Sequence, residues 1–178
     1  ALREDAVRFD LSLENRTRLE VGEVYYPVLG GWTGLGSSHA DRQRTSLITP
    51  AGAGAASSRP FHTFANMSWL GVIGPEQFYP YPDQLSMPWA AFEAARGGRT
   101  VTIAALDPIY RYKVFHLEML PGIAGARAAG NWPRPDELRG LAAGVRACWA
   151  HIAYERPGRR FHASPVVVRC HGGGARES

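Results

Sequence analysis

The sequence predicts an all-β fold, a two-layer antiparallel β-sandwich with at most one short helix, formed by residues 1–178 as a single domain. Three observations support this prediction. Many short stretches alternate apolar and polar residues, which is the period of a half-buried strand. Turns rich in glycine and proline separate these stretches at intervals of roughly 10–20 residues. No strand–helix–strand alternation is visible, which disfavours doubly wound and complete barrel folds.

The first third of the chain predicts two strands followed by a loop. Residues 8–14 alternate in character and form the first strand, and residues 19–29 form the second, with a bulge at Gly22. Residues 37–60 are polar and rich in glycine, alanine and serine, so we expect an exposed loop there.

The middle of the chain contains the clearest hairpin. Residues 61–74 return to apolar character, and residues 78–83 (Phe-Tyr-Pro-Tyr-Pro-Asp) predict an aromatic and proline-rich loop. Residues 86–106 form two alternating arms around Gly97 and Gly98, because adjacent glycines accept the positive φ angles of a tight turn.

The last third of the chain predicts three more strands and a short helix. Residues 110–120 form a long strand, and residues 121–137 form a loop. Residues 137–143 can form the short helix. Alternation then resumes and predicts a strand over residues 145–154, and residues 166–170 form the final strand.

Charge and composition exclude two classes of partner. The chain carries a net charge of +4, but its cations are nearly all arginines and they are spread along the sequence. A nucleic-acid surface needs a clustered basic face. No apolar run approaches the roughly 18 residues that cross a membrane. We therefore predict neither a nucleic-acid nor a membrane partner.

The two cysteines, Cys148 and Cys170, lie on predicted strands. A disulfide can form if those strands are neighbours, and two buried free thiols are the alternative. Their separation rules out a Cys-x-x-Cys zinc motif.

Four features occur in a fixed order along the chain. They are residues 81–89 (Tyr-Pro-Asp-Gln-Leu-Ser-Met-Pro-Trp), the Gly97-Gly98 hairpin, residues 102–108 (Thr-Ile-Ala-Ala-Leu-Asp-Pro) and residues 164–173. With these features the chain resembles the N-terminal β-sandwich domain, of the galactose-mutarotase-like super-sandwich type, of large bacterial glycoside hydrolases. In such proteins a catalytic (β/α)8 barrel follows the sandwich. The resemblance covers residues 60–175.

The resemblance implies a non-catalytic accessory domain whose partner is a C-terminal barrel of the same chain. The strand at residues 166–170 runs into His171-Gly172-Gly173, an arrangement expected where a chain enters a further domain, so we interpret the sequence as part of a longer protein. Similar proteins carry a tryptophan shortly after this His-Gly-Gly stretch, whereas this chain has Ala175 in that region.

Glycoside hydrolysis requires two carboxylates about 5–10 Å apart on opposite sides of the scissile bond. The sequence offers five candidates whose spacing pairs no two of them: Asp83, Glu93, Asp107, Glu118 and Glu155. We therefore predict no catalytic residue within these 178 residues.

Loop aromatic residues are the predicted carbohydrate contacts. The rings of Tyr79, Tyr81 and Trp132 lie beside prolines, which favours exposure. Sugar rings present apolar C–H faces that stack on aromatic planes. An independent carbohydrate-binding module is the alternative to the accessory domain.

A small cupin-like metal-dependent enzyme is the remaining alternative. His116 and Glu118 share one face of a predicted strand. Three further histidines are candidates to join them: His151, His162 and His171. Cupins open their motif with His-x-His, which this chain lacks, so we predict no metal and no other cofactor.

Overall fold

The computed structural model describes residues 5–52, 54–61, 76–95, 98–120 and 144–175. Within these ranges, no helix combines the length and the apolar character needed to cross a bilayer.

The described elements are strands apart from one short helix, α1, at His39–Gln43. In chain order the strands are β1 (Ala6–Phe9), β2 (Ser12–Glu14), β3 (Val21–Trp32), β4 (Ser46–Ala51), β5 (Gly54–Ser58), β6 (Glu76–Tyr81), β7 (Trp89–Glu93), β8 (Thr100–Ala105), β9 (Lys113–Leu120), β10 (Gly144–Glu155), β11 (Arg160–His162) and β12 (Val166–His171).

The strands form two main antiparallel sheets and a small third one. The larger sheet has the order β1-β12-β8-β7-β4-β5, and the four-stranded sheet has the order β3-β10-β9-β6. Strands β11 and β2 pair separately. The predicted all-β, antiparallel sandwich is confirmed.

Alternation along the strands supplies the core between the two main sheets. Phe115 and Leu117 of β9 and Trp149 of β10 are fully buried, as is Phe92 of β7 in the opposite sheet. The ring centre of Trp32, at the end of β3, lies 5.1 Å from that of Phe92 and joins the two layers. Each large apolar side chain buried in this way contributes roughly 1.5–3 kcal/mol.

The predicted hairpin is confirmed. β7 and β8 pair in regular register from Trp89 opposite Ala104 to Glu93 opposite Thr100. Gly98 has a φ of +86°, the conformation for which a glycine was expected in the turn. The strands predicted over residues 145–154 and 166–170 are also confirmed, as β10 and β12.

The single strand predicted over residues 8–14 is wrong. The segment breaks after Phe9, so β1 pairs with β12 and β2 pairs with β11. Regular alternation continues across the break, which hides the change of partner from a local pattern.

The loop predicted over residues 37–60 is also wrong, because this segment holds α1, β4 and β5. The side chain of Ser38 caps α1 by accepting a hydrogen bond from the N–H of Asp41 at 3.1 Å. Leu47 of β4 is buried in the core. Pro50 within β4 weakens the strand signal, since proline is depleted in strands.

Two further boundaries differ from the predictions. Residues 78–83 were expected to be a loop, but β6 continues to Tyr81; Pro80 is tolerated because β6 is an edge strand. The strand predicted from residue 110 begins at Lys113. The predicted loop at residues 121–137 and helix at residues 137–143 lie outside the described residues.

Both cysteines are free thiols. Cys148 lies on β10 of the four-stranded sheet and Cys170 lies on β12 of the larger sheet. The alternative of two free thiols is therefore confirmed, but burial was predicted correctly only for Cys148, because Cys170 is exposed.

A buried amide joins the end of β2 to the end of β10. The Nδ2 group of Asn15 donates to the carbonyl oxygens of Leu19 and Glu155, each at 2.8 Å. Its Oδ1 atom accepts from the N–H of Thr17 at 3.0 Å and from its hydroxyl at 2.7 Å. Asn15 is 2% exposed, so these bonds replace water entirely.

Asn15→Asp is expected to lower the free energy of unfolding by about 3 kcal/mol. The variant replaces the Nδ2 group, which donates to two carbonyl oxygens, with a buried carboxylate oxygen that would face the same two carbonyl oxygens without a proton to donate. Urea denaturation at neutral pH, followed by circular dichroism, measures this. The exposed Gln84 provides the matched control, since Gln84→Glu makes the same change of group in water. Equal losses in the two variants would contradict the role assigned to Asn15.

Candidate functional site

Tyr81 does not lie on an exposed loop, so this part of the prediction is wrong. It ends β6 and is 2% exposed, because alternation along β6 turns its side chain towards the core. The ammonium of Lys113 lies 5.0 Å from the centre of the Tyr81 ring. Burial raises the pKa of the Tyr81 hydroxyl above its ordinary value. A ring enclosed to this extent offers no face for a sugar.

Tyr79 is half-buried and packs against the core. Its ring centre lies 6.4 Å from that of Phe115, and its hydroxyl donates to Oε1 of Gln77 at 2.9 Å. Burial raises the pKa of this hydroxyl as well. Trp132 lies outside the described residues. Carbohydrate contacts by Tyr79 and Trp132 therefore stay predictions.

The most exposed aromatic ring of the described residues lies instead on the loop between β8 and β9, residues 106–112. Tyr110 is 71% exposed. Three apolar neighbours on this loop are also exposed: Leu106, Ile109 and Tyr112. The exposure of Tyr110 and Tyr112 was not predicted from the sequence, because these two residues continue the alternating pattern of β9. The Asp107-Pro108 pair, which favours a turn, was the sequence signal that these two residues lie in a loop before the strand.

The side chain of Asp107 organises this loop. It accepts hydrogen bonds from the N–H of Ile109 at 3.3 Å and of Arg111 at 2.7 Å. It also forms an ion pair with Lys113, and both side chains are almost completely buried. The ammonium of Lys113 donates in addition to the carbonyl oxygen of Arg111 at 2.6 Å. The loop is therefore held as a fixed turn.

Asp107 stays anionic at neutral pH. Burial acts to raise the pKa of its carboxyl, but the hydrogen bond and charge of Lys113, with the two backbone N–H groups, hold that pKa below its ordinary value. Burial lowers the pKa of Lys113, and Asp107 opposes this shift.

Tyr110 is held in a strained backbone conformation. Its φ is +54°, which costs an L-residue roughly 1–2 kcal/mol. Its ring stacks on that of Tyr81, with centres 6.3 Å apart and planes 18° apart. A bulky residue kept at an energetic cost, with most of its ring in solvent, is a functional candidate.

A cleft of about 530 Å³ adjoins the loop. Its walls combine apolar groups with two carboxylates, a guanidinium, an imidazole and two hydroxyls, contributed by Asp10, Leu11, Ser12, Leu106, Asp107, Pro108, Ile109, Arg111, His162, Ala163, Ser164 and Pro165. Arg111 donates to the carbonyl oxygen of His162 at 2.8 Å, which ties the loop to β11. Apolar walls with a few polar groups suit a small polar ligand such as a sugar.

Three of the five carboxylates considered for hydrolysis have a recorded partner in the structure. Asp107 pairs with Lys113, and Glu118 pairs with Arg146. Glu93 accepts a hydrogen bond from the N–H of Ala175 at 3.0 Å. Each of these three carboxylates therefore makes a contact within the fold.

The cupin-like grouping of histidines does not form. The structure brings His116 together with Glu118 and Glu76, and these three are the one cluster of potential metal ligands found among the described residues. The other candidate histidines lie in separate strands, β10, β11 and β12 respectively: His151, His162 and His171.

No protein-family model matches this chain, and no curated protein matches it either. The case for a function therefore depends on the site and on the motifs of the sequence.

Asp107→Asn is expected to destabilise the fold by about 3–5 kcal/mol at pH 7, because it leaves the buried ammonium of Lys113 without its anion. The folded-state pKa of Asp107 lies below its unfolded value of about 3.9. The stabilisation is therefore complete above about pH 5 and is lost as the pH falls through 4 and below. The difference in free energy of unfolding between wild type and variant should therefore shrink at low pH. Urea unfolding of both proteins at pH 7, 5 and 3 measures this difference.

The exposed Asp83 supplies the control for this experiment. Asp83→Asn should change stability by less than about 0.5 kcal/mol at each pH. A constant gap between wild type and Asp107→Asn down to pH 3 would contradict the ion pair as the source of the effect.

Proposed function

We propose that this chain is a non-catalytic accessory domain of a glycoside hydrolase, which packs on the catalytic (β/α)8 barrel and contributes contacts to carbohydrate. The observation that carries the proposal is the loop at residues 106–112. The motif at residues 102–108, one of those on which the resemblance depends, includes Asp107, the aspartate that organises this loop. The loop then presents the exposed ring of Tyr110.

The chemistry of the loop suits a sugar. The exposed face of Tyr110 can stack on the apolar C–H face of a pyranose. Arg111 and Asp10 line the adjoining cleft, where a guanidinium and a carboxylate can hydrogen-bond hydroxyl groups. Because Asp107 already holds the loop, little conformational entropy remains to be lost on binding.

The same loop lies beside the segment proposed to contact the barrel. We propose that this contact involves the strands near residues 141–170. The N–H of Leu106 donates to the carbonyl oxygen of Pro165 at 2.7 Å, and Arg111 binds the backbone of His162. The exposed apolar side chains of the loop thus adjoin β11 and the start of β12. A barrel docked there would cover them.

The first test is genetic. The coding sequence downstream of Ser178 is expected to encode a strand–helix alternation of about 250 residues, the usual length of such a barrel. A stop codon at that position would contradict the proposal that this domain serves a barrel in the same chain.

Tyr110→Asn in the full-length protein is expected to weaken polysaccharide binding about tenfold, which corresponds to 1.4 kcal/mol. Asparagine adopts positive φ readily, so stability should be unchanged or higher. Retardation in gels that contain a panel of soluble polysaccharides measures the affinity, and thermal unfolding measures the stability.

Tyr154 is the matched control. It is 69% exposed, it also has a positive φ, of +44°, and it lies on β10 and not on the loop at residues 106–112. Tyr154→Asn should bind as wild type does. Equal retention of the two variants would remove carbohydrate contact by Tyr110 from the proposal.

The cleft also favours a second candidate, an independent carbohydrate-binding module. That candidate expects the isolated 178-residue chain to be retarded in the same gels, whereas the accessory domain expects little or no retardation without its barrel. Substituting Tyr79 and Tyr81 would not separate the two, because loss of the buried Tyr81 ring would disturb the core.

A further inference from the structure

The outer face of the four-stranded sheet carries a cluster of charged groups and one histidine. In the register of the strands, Glu76 of β6 lies opposite Glu118 of β9, and Glu118 lies opposite Arg146 of β10. His116 is two residues from Glu118 on β9, so it projects from the same face. Glu76 and Arg146 are distant in sequence from His116 and Glu118, and strand pairing brings the four residues together.

The imidazole of His116 is held in one orientation. The ring of Phe78 stacks on it at 4.7 Å with the planes 4° apart, and the ring of Tyr25 approaches at 5.9 Å. Its Nδ1 atom lies 3.8 Å from Sγ of Cys148. The tautomer that donates Nδ1–H to this sulfur leaves a lone pair on Nε2.

That Nε2 atom is the unexplained feature of the cluster. His116 is 4% exposed, and its buried Nε2 has no hydrogen-bond partner among the described residues. It points towards Oε2 of Glu76, 3.7 Å away, which is beyond hydrogen-bond range. An unsatisfied buried polar atom costs roughly 1–3 kcal/mol, so a partner at this point would be stabilising.

A positively charged partner would stabilise the two carboxylates as well as the Nε2 atom. Glu76 and Glu118 are directly opposed across an antiparallel pair, and like charges in that position repel each other. Arg146 forms an ion pair with Glu118, so one positive charge faces two negative charges. The two carboxylates and the guanidinium therefore carry a net negative charge beside the imidazole of His116.

The ligand atoms are close enough to share one ion. One atom from each of Glu76, His116 and Glu118 lies within 4.8 Å of the others. Bonds of roughly 2.0–2.2 Å to a common metal bring donor atoms to about 3–4 Å from one another. The side chain of Glu76 is 38% exposed and is free to close this gap by rotation.

We propose that Glu76, His116 and Glu118 form a binding site for a divalent transition-metal ion, with Zn²⁺ as the best fit. One imidazole and two carboxylates are ligands that Zn²⁺ accepts, and a fourth position remains for water. Arg146 would then hold the second oxygen of Glu118, as an outer partner commonly does for a ligating carboxylate.

Cys148 acts as a partner of His116 and not as a ligand. Its sulfur lies 3.8 Å from Nδ1 of the ring, on the side away from Nε2, and it is not among the three residues whose ligand atoms lie within 4.8 Å of one another.

Isothermal titration of the tag-free, chelator-treated chain with Zn²⁺ tests the proposal. Wild type should bind one equivalent, and Glu76→Gln should bind at least about tenfold more weakly, since changes to partners outside the ligand set already cost that much. Glu76 begins β6 with an exposed side chain, and the variant removes a repulsion, so it should fold normally by circular dichroism. Arg146→Gln, which removes the outer partner of the Glu118 carboxylate, should also bind more weakly.

The exposed Glu20 supplies a control with the same change of charge, and Glu20→Gln should bind Zn²⁺ as wild type does. Zn²⁺ should also raise the melting temperature of wild type and of Glu20→Gln, but not that of Glu76→Gln. Absence of binding to wild type would overturn the proposal. So would equal binding by wild type and Glu76→Gln, because that result would place the ion on other residues.

Discussion

The register of β9 is the constraint on which the rest of the structure depends. Its odd-numbered side chains, from Lys113 to Leu117, face the sandwich interior, and its even-numbered side chains, His116 and Glu118, face outwards. A shift of one residue would exchange the two sets, placing apolar groups in water and the histidine and glutamate in the core. The core and the outer polar cluster are therefore two consequences of the same pairing with β6 and β10.

The buried Lys113–Asp107 pair is what holds β9 in that register at its first residue. Desolvating two charges offsets most of their attraction, so the pair contributes specificity more than net stability. A neutral residue at position 113 would fill the same space and would not require an aspartate six positions earlier to balance its charge. Because the ammonium needs that carboxylate and the carbonyl oxygen of Arg111, the loop before β9 has one arrangement, and that arrangement exposes Tyr110.

Elements with a strong local signal were predictable from the sequence, and those that depend on distant partners were not. Alternation and a turn glycine predicted the β7–β8 hairpin, and alternation predicted β10 and β12. β4 carries Pro50 and β6 carries Pro80, which weakens their local strand signal, and each pairs with a strand that is distant in sequence, β7 and β9 respectively. The same limit applies to the candidate sites. Prolines beside Tyr81 suggested exposure, but the inward face of β6 buries it, and Glu76 meets His116 only through the β6–β9 ladder.

The loop and the outer cluster share β9 but no side chain, so their chemistry is separable. The loop is organised by groups at the start of β9 and faces β11, whereas the cluster lies at residues 116–118 and faces away from the core. Between them the inward rings of Phe115 and Trp149 are close-packed, which makes the strand stiff. An ion bound by the cluster would hold β6 against β9, and β6 ends in Tyr81, the ring on which Tyr110 stacks. Any coupling between the two sites would therefore depend on the position of β6 and not on ligands that the two sites share.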